Sequence, residues 1–169
     1  MRIERAPEIE NRFRAALRKA GQREIGGMLM AEQLAPGHFC IIDFSVDASS
    51  GSHTHFRRDP QAHQKTLDEF FQRTGRDFQR FNYLGEWHSH PSFSVRPSLE
   101  DSVTMTDIVD SGHSAITFAV LMIVRLRWWF WVDYSLSVFA KGQAPQPIKF
   151  SQRIIPRALM PDRQSQELQ

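Results

Sequence analysis

The chain of 169 residues reads as an α/β (α+β) domain, a mixed central sheet flanked by helices. Three observations predict this. Segments with apolar residues at helical spacing alternate with short runs of β-forming residues, a hairpin signal lies between the first two helical segments, and two long apolar stretches close the pattern. The length suits one domain, able to bury about two thirds of its unfolded surface. That domain is expected over residues 1–145, with 146–169 as a C-terminal tail, partly disordered.

Residues 7–20 place Ile9, Phe13, Ala16, Leu17 and Ala20 at helical spacing among arginines, and Gly21 supplies a stop. Residues 25–30 form a short apolar run entered through Glu24. Residues 39–46 are rich in β-formers and follow the Pro36-Gly37 turn, so the two runs predict a hairpin. Asp59-Pro60 can start a second helix in which Leu67, Phe70 and Phe71 face inward and Gly75 marks the end. A strand over 81–90 follows, then a Pro/Ser loop over 91–97, a third helix over 98–109 closed by Gly112, and strands over 115–124 and 128–140. The tryptophans of the last strand are expected to cover the core. Beyond Gly142 come Pro145, Pro147 and Pro156, and the polar end from residue 162 is expected to be mobile. No internal repeat or low-complexity tract occurs.

Composition removes several functions. With 21 Lys+Arg against 19 Asp+Glu, the net charge is only +2, and the arginines are spread out, so charge gives no argument for nucleic-acid binding. Cys40 is the one cysteine, which excludes disulfide frameworks, Cys₄ zinc modules and the Cys-x-x-Cys site of nucleobase deaminases. A reducing, cytoplasmic setting is expected. The charged N-terminus has no signal-peptide run, and the apolar stretch over 118–132 is interrupted by Arg125 and Arg127. The sequence therefore predicts no membrane span.

The chemistry concentrates in residues 88–101, where His88, His90, Ser98 and Asp101 fall in the order H-x-H-x7-S-x2-D. On a strand, His88 and His90 share a face, so both imidazoles can meet one ion. Asp101 comes from the first turn of the next helix, and Ser98, three residues earlier, shares its face. Three ligands of types that Zn²⁺ accepts, with a fourth position left over, describe a catalytic metal site. From the chain's composition, roughly 0.0014 chance matches are expected, so coincidence is a poor explanation. A capping box at Ser98 would account for the helix start, but not for two histidines on one face. The second pair, His53 and His55, fails the same test, because His63 and Thr66 stand where serine and aspartate are needed. These histidines are expected on the surface or in a groove, His63 on the second helix, and His38 and His113 in loops.

A zinc hydrolase also needs a group that takes a proton from water and delivers it to the leaving amine. Glu24 opens a strand whose Gly26-Gly27 would let a substrate or neighbouring backbone approach closely. Glu86 lies two residues before His88 on the same strand face. Glu100 points away from the Ser98/Asp101 face, and Glu32 lies near the hairpin turn. Spacing alone leaves Glu24 and Glu86 as rivals.

The set Glu24-Ile25-Gly26-Gly27, Gly85-Glu86-Trp87-His88-Ser89-His90-Pro91 and Pro97-Ser98-Leu99-Glu100-Asp101 resembles the JAMM (MPN-plus, JAB) metalloproteases over about residues 5–140. The resemblance implies a JAB/MPN domain with a cytidine deaminase-like fold. It also implies one Zn²⁺ on His88, His90 and Asp101, with Glu24 as general base and acid and Ser98 helping to hold the oxyanion. The implied reaction is hydrolysis of the isopeptide or peptide bond after an extended C-terminal tail, on a ubiquitin-like protein or a nucleotidyltransferase conjugate. The Gly-Glu-Trp-His-Ser-His-Pro segment looks like bacterial members that accompany E1-like and E2-like proteins, some in antiphage systems. Thirteen residues separate Asp101 from Ala115, so the long insertion of eukaryotic ubiquitin-chain cleavers is missing, which argues against linkage-specific chain cleavage. Two other readings compete with the hydrolase: a non-catalytic MPN-type scaffold and a DNA-associated JAB-like protein.

Overall fold

A computed structural model describes residues 1–47, 60–110 and 116–151, the side chains of 60–63 excepted. In chain order the elements are β1 (Arg2–Arg5), α1 (Pro7–Ala20), β2 (Gly26–Ala35), β3 (His38–Phe44) and α2 (Pro60–Arg73). They continue with β4 (Phe81–Ser89), α3 (Leu99–Asp110), β5 (Phe118–Arg127), β6 (Trp131–Ala140) and β7 (Gln146–Ile148). The strands form one mixed sheet in the order β1-β3-β2-β4-β5-β6-β7. The β1/β3 and β4/β5 pairs are parallel and the others antiparallel. This is the mixed, helix-flanked sheet that the alternating pattern predicts. Asp59, Gly112, His53, His55 and His113 lie outside the described residues.

Period-2 alternation along β5 divides the core. Val120, Met122 and Val124 face α1, whereas Ala119, Leu121 and Ile123 face Met105 and Val109 of α3, so helices cover both sides of the sheet. Helix α1 starts with Pro7 at its first position, where the missing N–H costs nothing. It buries Ile9, Phe13, Leu17 and Ala20, and Gly21, at φ 64°, returns its N–H to the Leu17 carbonyl. Phe13 stacks on Phe44 with ring centroids 3.9 Å apart and meets the edge of Trp87 at 4.8 Å. Helix α2 packs on β2 and β4, and α3 on β5 and β6.

Strand β4, the centre of the sheet, is shaped by a bulge. Leu29 pairs with Gly85 and Met30 with Tyr83, leaving Leu84 as the extra residue. The bulge resets the alternation, so that Leu84 and Trp87 both enter the α1 core. Glu86 and His88 then share the opposite face. Gly85, at φ 156°, lies so close to β5 that a Cβ would sit 1.9 Å from the Val120 carbonyl oxygen.

Several elements depart from the expectations. β1 places Ile3, fully buried, between β3 on one side and Phe150 on the other. Its charged neighbours mask it in the sequence. Gln146–Ile148, expected within the tail, pairs with β6; Phe150 reaches Tyr134, and Arg5 lies over both rings at 4.8 and 4.7 Å. His38 belongs to β3 rather than a loop, with Nε2 2.8 Å from Glu4 Oε1. The β6 tryptophan does not cover the core, nor do the two in the turn before it: Trp128, Trp129 and Trp131 are 71, 64 and 66 % exposed, and the buried tryptophan is Trp87. Gly27 serves no visiting backbone, since the space its side chain would take is filled by Ser45, whose Oγ accepts the Met28 N–H.

Candidate metal centre

Three segments meet at the C-terminal end of β4. His88 lies within the strand and is nearly buried, and His90 follows its last residue, with the His90 N–H bonded to the Val124 carbonyl of β5. Pro91 then turns the chain, and the loop leads to α3, whose N-cap is Ser98. Ser98 Oγ accepts the Asp101 N–H at 3.0 Å, while Asp101 Oδ2 accepts the Ser98 N–H at 2.7 Å. This reciprocal cap is a capping box with aspartate in the glutamate's place. It turns the other carboxylate oxygen toward the strand, so the cap and the metal motif are one device: Asp101 Oδ1 lies 3.4 Å from His88 Nε2.

The two imidazoles converge as well. Their Nε2 atoms are 3.1 Å apart, and the ligand atoms of His88, His90 and Asp101 all lie within 4.8 Å of one another. Bonds of 2.0–2.1 Å at tetrahedral angles separate zinc ligands by about 3.3 Å, so the cluster has the dimensions of a zinc tetrahedron's protein face. The outer partner of His90 is also in place. Its Nδ1 lies 2.8 Å from the Ser94 carbonyl oxygen, which can only accept, so Nδ1 carries the proton and Nε2 presents its lone pair inward. Burial pushes the Asp101 carboxyl up, but the His88 hydrogen bond and charge together with the Ser98 cap outweigh it and hold it well below the usual carboxylate range. The ligand therefore stays anionic, the form a metal takes. The donor set, spacing and orientation fit zinc.

Glu24 and Glu86 are both buried, at 7 and 9 % exposure. Gly26 pairs with His88, and one step on, Ile25 and Ser89 exchange bonds: the Ser89 N–H donates to the Ile25 carbonyl at 2.7 Å and the Ile25 N–H to Ser89 Oγ at 3.0 Å. Glu24 directly precedes this pair, just outside β2, so the start of β2 carries it to the end of β4 where the histidines lie. Glu86 shares the face of His88, but lies one step back along β4, away from His90. There it receives a hydrogen bond from Tyr83 Oη at 3.5 Å. It lines an apolar groove of about 930 Å³ bordered by Met28, Leu67, Phe71 and Ile108. Sequence reasoning missed the Ser94 carbonyl, because a backbone acceptor leaves no mark in residue identity.

A mixed sheet whose central strand delivers two histidines to an aspartate at a helix start defines a JAB-type domain. The profile of prokaryotic homologs of the JAB domain matches residues 7–133, and the chain belongs to that family. Solved structures agree on the fold. The solution structure of a Desulfitobacterium hafniense protein is 20 % identical, covers 88 % of this chain and 91 % of its own, and superposes with a TM-score of 0.64. One from Salinibacter ruber is 17 % identical over 90 % of this chain and 93 % of its own, with a TM-score of 0.58. No curated protein matches in sequence. Among the described residues, no helix is long and apolar enough to cross a membrane.

Proposed function

We propose that this JAB-family protein is a zinc-dependent metallopeptidase that hydrolyses the isopeptide or peptide bond joining the extended C-terminal tail of a ubiquitin-like or similarly conjugated protein to its target. The observation that carries this reading is the convergence of His88, His90 and Asp101 at zinc-ligand separations. A zinc held there would supply Lewis acidity toward the scissile carbonyl and make water acidic enough to deprotonate near neutral pH.

The chain's own residues then have separable tasks. Glu24, buried just before β2, takes the proton from the attacking water and returns it to the leaving amine. The family resemblance supports it over Glu86, which receives a hydrogen bond from Tyr83 Oη. Ser98 Oγ accepts the Asp101 N–H through a lone pair, so its hydroxyl proton can be donated to the developing oxyanion. Conjugation enzymes of the E1 and E2 type would generate the substrate, and an antiphage conjugation system in the bacterial cytoplasm is the setting we assign. Buried Cys40 suits that reducing compartment.

The test measures zinc content and cleavage on the same preparations, using a ubiquitin-like protein whose tail is joined to a lysine side chain. Wild type should carry about one zinc per chain. Glu24→Gln should keep the metal and lose roughly a hundredfold or more in rate, with Glu86→Gln close to wild type. A metal-free wild type, or full activity in Glu24→Gln, refutes the reading.

A further inference from the structure

Arg125, one of the two arginines that interrupt the apolar run of β5, reaches toward the metal centre. Ala119, Leu121 and Ile123 face α3, and Arg125 is the next residue but one on that face of the strand. It pairs directly with Asp133 in the ladder joining the ten-residue strands β5 and β6, and its Nη2 lies 3.0 Å from Asp133 Oδ2. From that base, Nη1 donates to the Phe93 carbonyl at 2.9 Å. Phe93 belongs to the loop that carries the chain from the two histidines to Ser98 and Asp101.

We infer that Arg125, braced by Asp133, is a positioning residue for the metal centre, fixing the loop carbonyl that orients His90; the inference rests on reading His88, His90 and Asp101 as metal ligands. The peptide between Phe93 and Ser94 is planar, so a held Phe93 carbonyl fixes that whole unit. Only φ and ψ of Ser94 then separate it from the Ser94 carbonyl, which lies 2.8 Å from His90 Nδ1. The main chain of His90 is fixed from the same strand, through its N–H on the Val124 carbonyl. β5 therefore grips this histidine twice, by its backbone through Val124 and by its ring through Arg125 and the loop. A ring held in this way keeps its proton on Nδ1 and its Nε2 lone pair toward His88 Nε2, 3.1 Å away.

A role in stability alone explains less. The Phe93 ring is 56 % exposed, so burial does not hold the loop at this point. Arg125 does not satisfy its own donors either, since its buried Nε has no acceptor among the described residues. Buried donors left unpaired are rare and cost stability, so what the side chain gains is the placement of the Phe93 carbonyl. The planar guanidinium suits this task, because its fork spans two fixed acceptors where a lysine ammonium is a compact point charge. Charge by itself predicts the opposite outcome: taking a cation away from a divalent metal strengthens binding, whereas loss of positioning weakens it.

The test reads the site with and without metal. In metal-free protein at mildly alkaline pH, where imidazole is neutral, proton–nitrogen correlation NMR of the histidine rings should show His90 in the Nδ1–H form in wild type. Arg125→Met and Asp133→Ala should show a mixture of tautomers. Zinc affinity, from chelator competition, should fall roughly tenfold or more in Arg125→Met, with Arg125→Lys recovering part of the loss and Arg127→Gln staying within about twofold of wild type. Should Arg125→Met fail to fold, Asp133→Ala carries both measurements. A lower metal-free Tm with the wild-type tautomer and affinity makes Arg125 a stabilising residue only and overturns the inference, as does an affinity that rises in Arg125→Met. If wild type binds no zinc, the metal-site reading fails, and the tautomer measurement still decides whether Arg125 orients His90.

Discussion

Ser98→Ala separates the two tasks of the α3 cap. The substitution removes the Oγ that accepts the Asp101 N–H at 3.0 Å, but leaves the backbone bond from the Ser98 N–H to Asp101 Oδ2. Losing a serine N-cap costs about 1 kcal/mol, and in a domain of this length each kcal/mol moves Tm by about 2–4 °C. Metal-free protein should therefore melt about 3 °C lower than wild type. With zinc in excess a second effect adds. The lost bond also anchors the main chain of Asp101, whose Oδ1 lies 3.4 Å from His88 Nε2, and loosening an outer partner of a metal ligand weakens affinity about 10- to 100-fold. Bound metal stabilises in proportion to the logarithm of affinity, so a tenfold loss takes away about 1.4 kcal/mol more and widens the difference to about 7 °C. Calorimetry with and without zinc, alongside a competitive chelator titration, reads both numbers. Equal shifts in the two conditions would refute the claim that the cap orients the ligand; no shift in metal-free protein would refute the cap itself.

Two further outcomes follow from the packing. Gly85→Ala drives a Cβ to 1.9 Å from the Val120 carbonyl, where only backbone can yield, and should cost about 3 kcal/mol or more in urea unfolding. Asp43 accepts hydrogen bonds from Arg73 and Arg12; burial pushes its carboxyl up, but these bonds and the Phe44 N–H bring it below the ordinary value. A carboxyl depressed in the folded state stabilises fully above its unfolded pKa of about 3.9 and loses that contribution as pH falls through the lower folded value. Asp43→Asn should therefore be less stable than wild type at neutral pH, with the gap closing below about pH 4, as followed by unfolding at a series of pH values.

How much of this was legible depends on where each constraint is written. His88 and His90 on one strand face, with Asp101 at the next helix start, can be read because both regularities, period two and the N-cap, are carried by side-chain identity at fixed spacing. Helix α1 is legible for the same reason, since Ile9, Phe13 and Leu17 repeat at the helical period. β1 and β7 are not, because a strand of three or four residues that gains its stability from pairing with a longer neighbour, β3 or β6, needs only one apolar side chain inside, Ile3 in β1 and Ile148 in β7. The bulge at Leu84 hides in the same way: it is a matter of two strands' registers, and only Gly85 hints at it. The tryptophans show the opposite failure. Residue type said core, because aromatic strand residues usually are, whereas position decided otherwise: two occupy a turn and the third begins the outgoing strand. Where a strongly apolar residue contradicts its local backbone preference and is still left in water, stability within one chain does not explain it, and the reason has to be sought in what that surface meets.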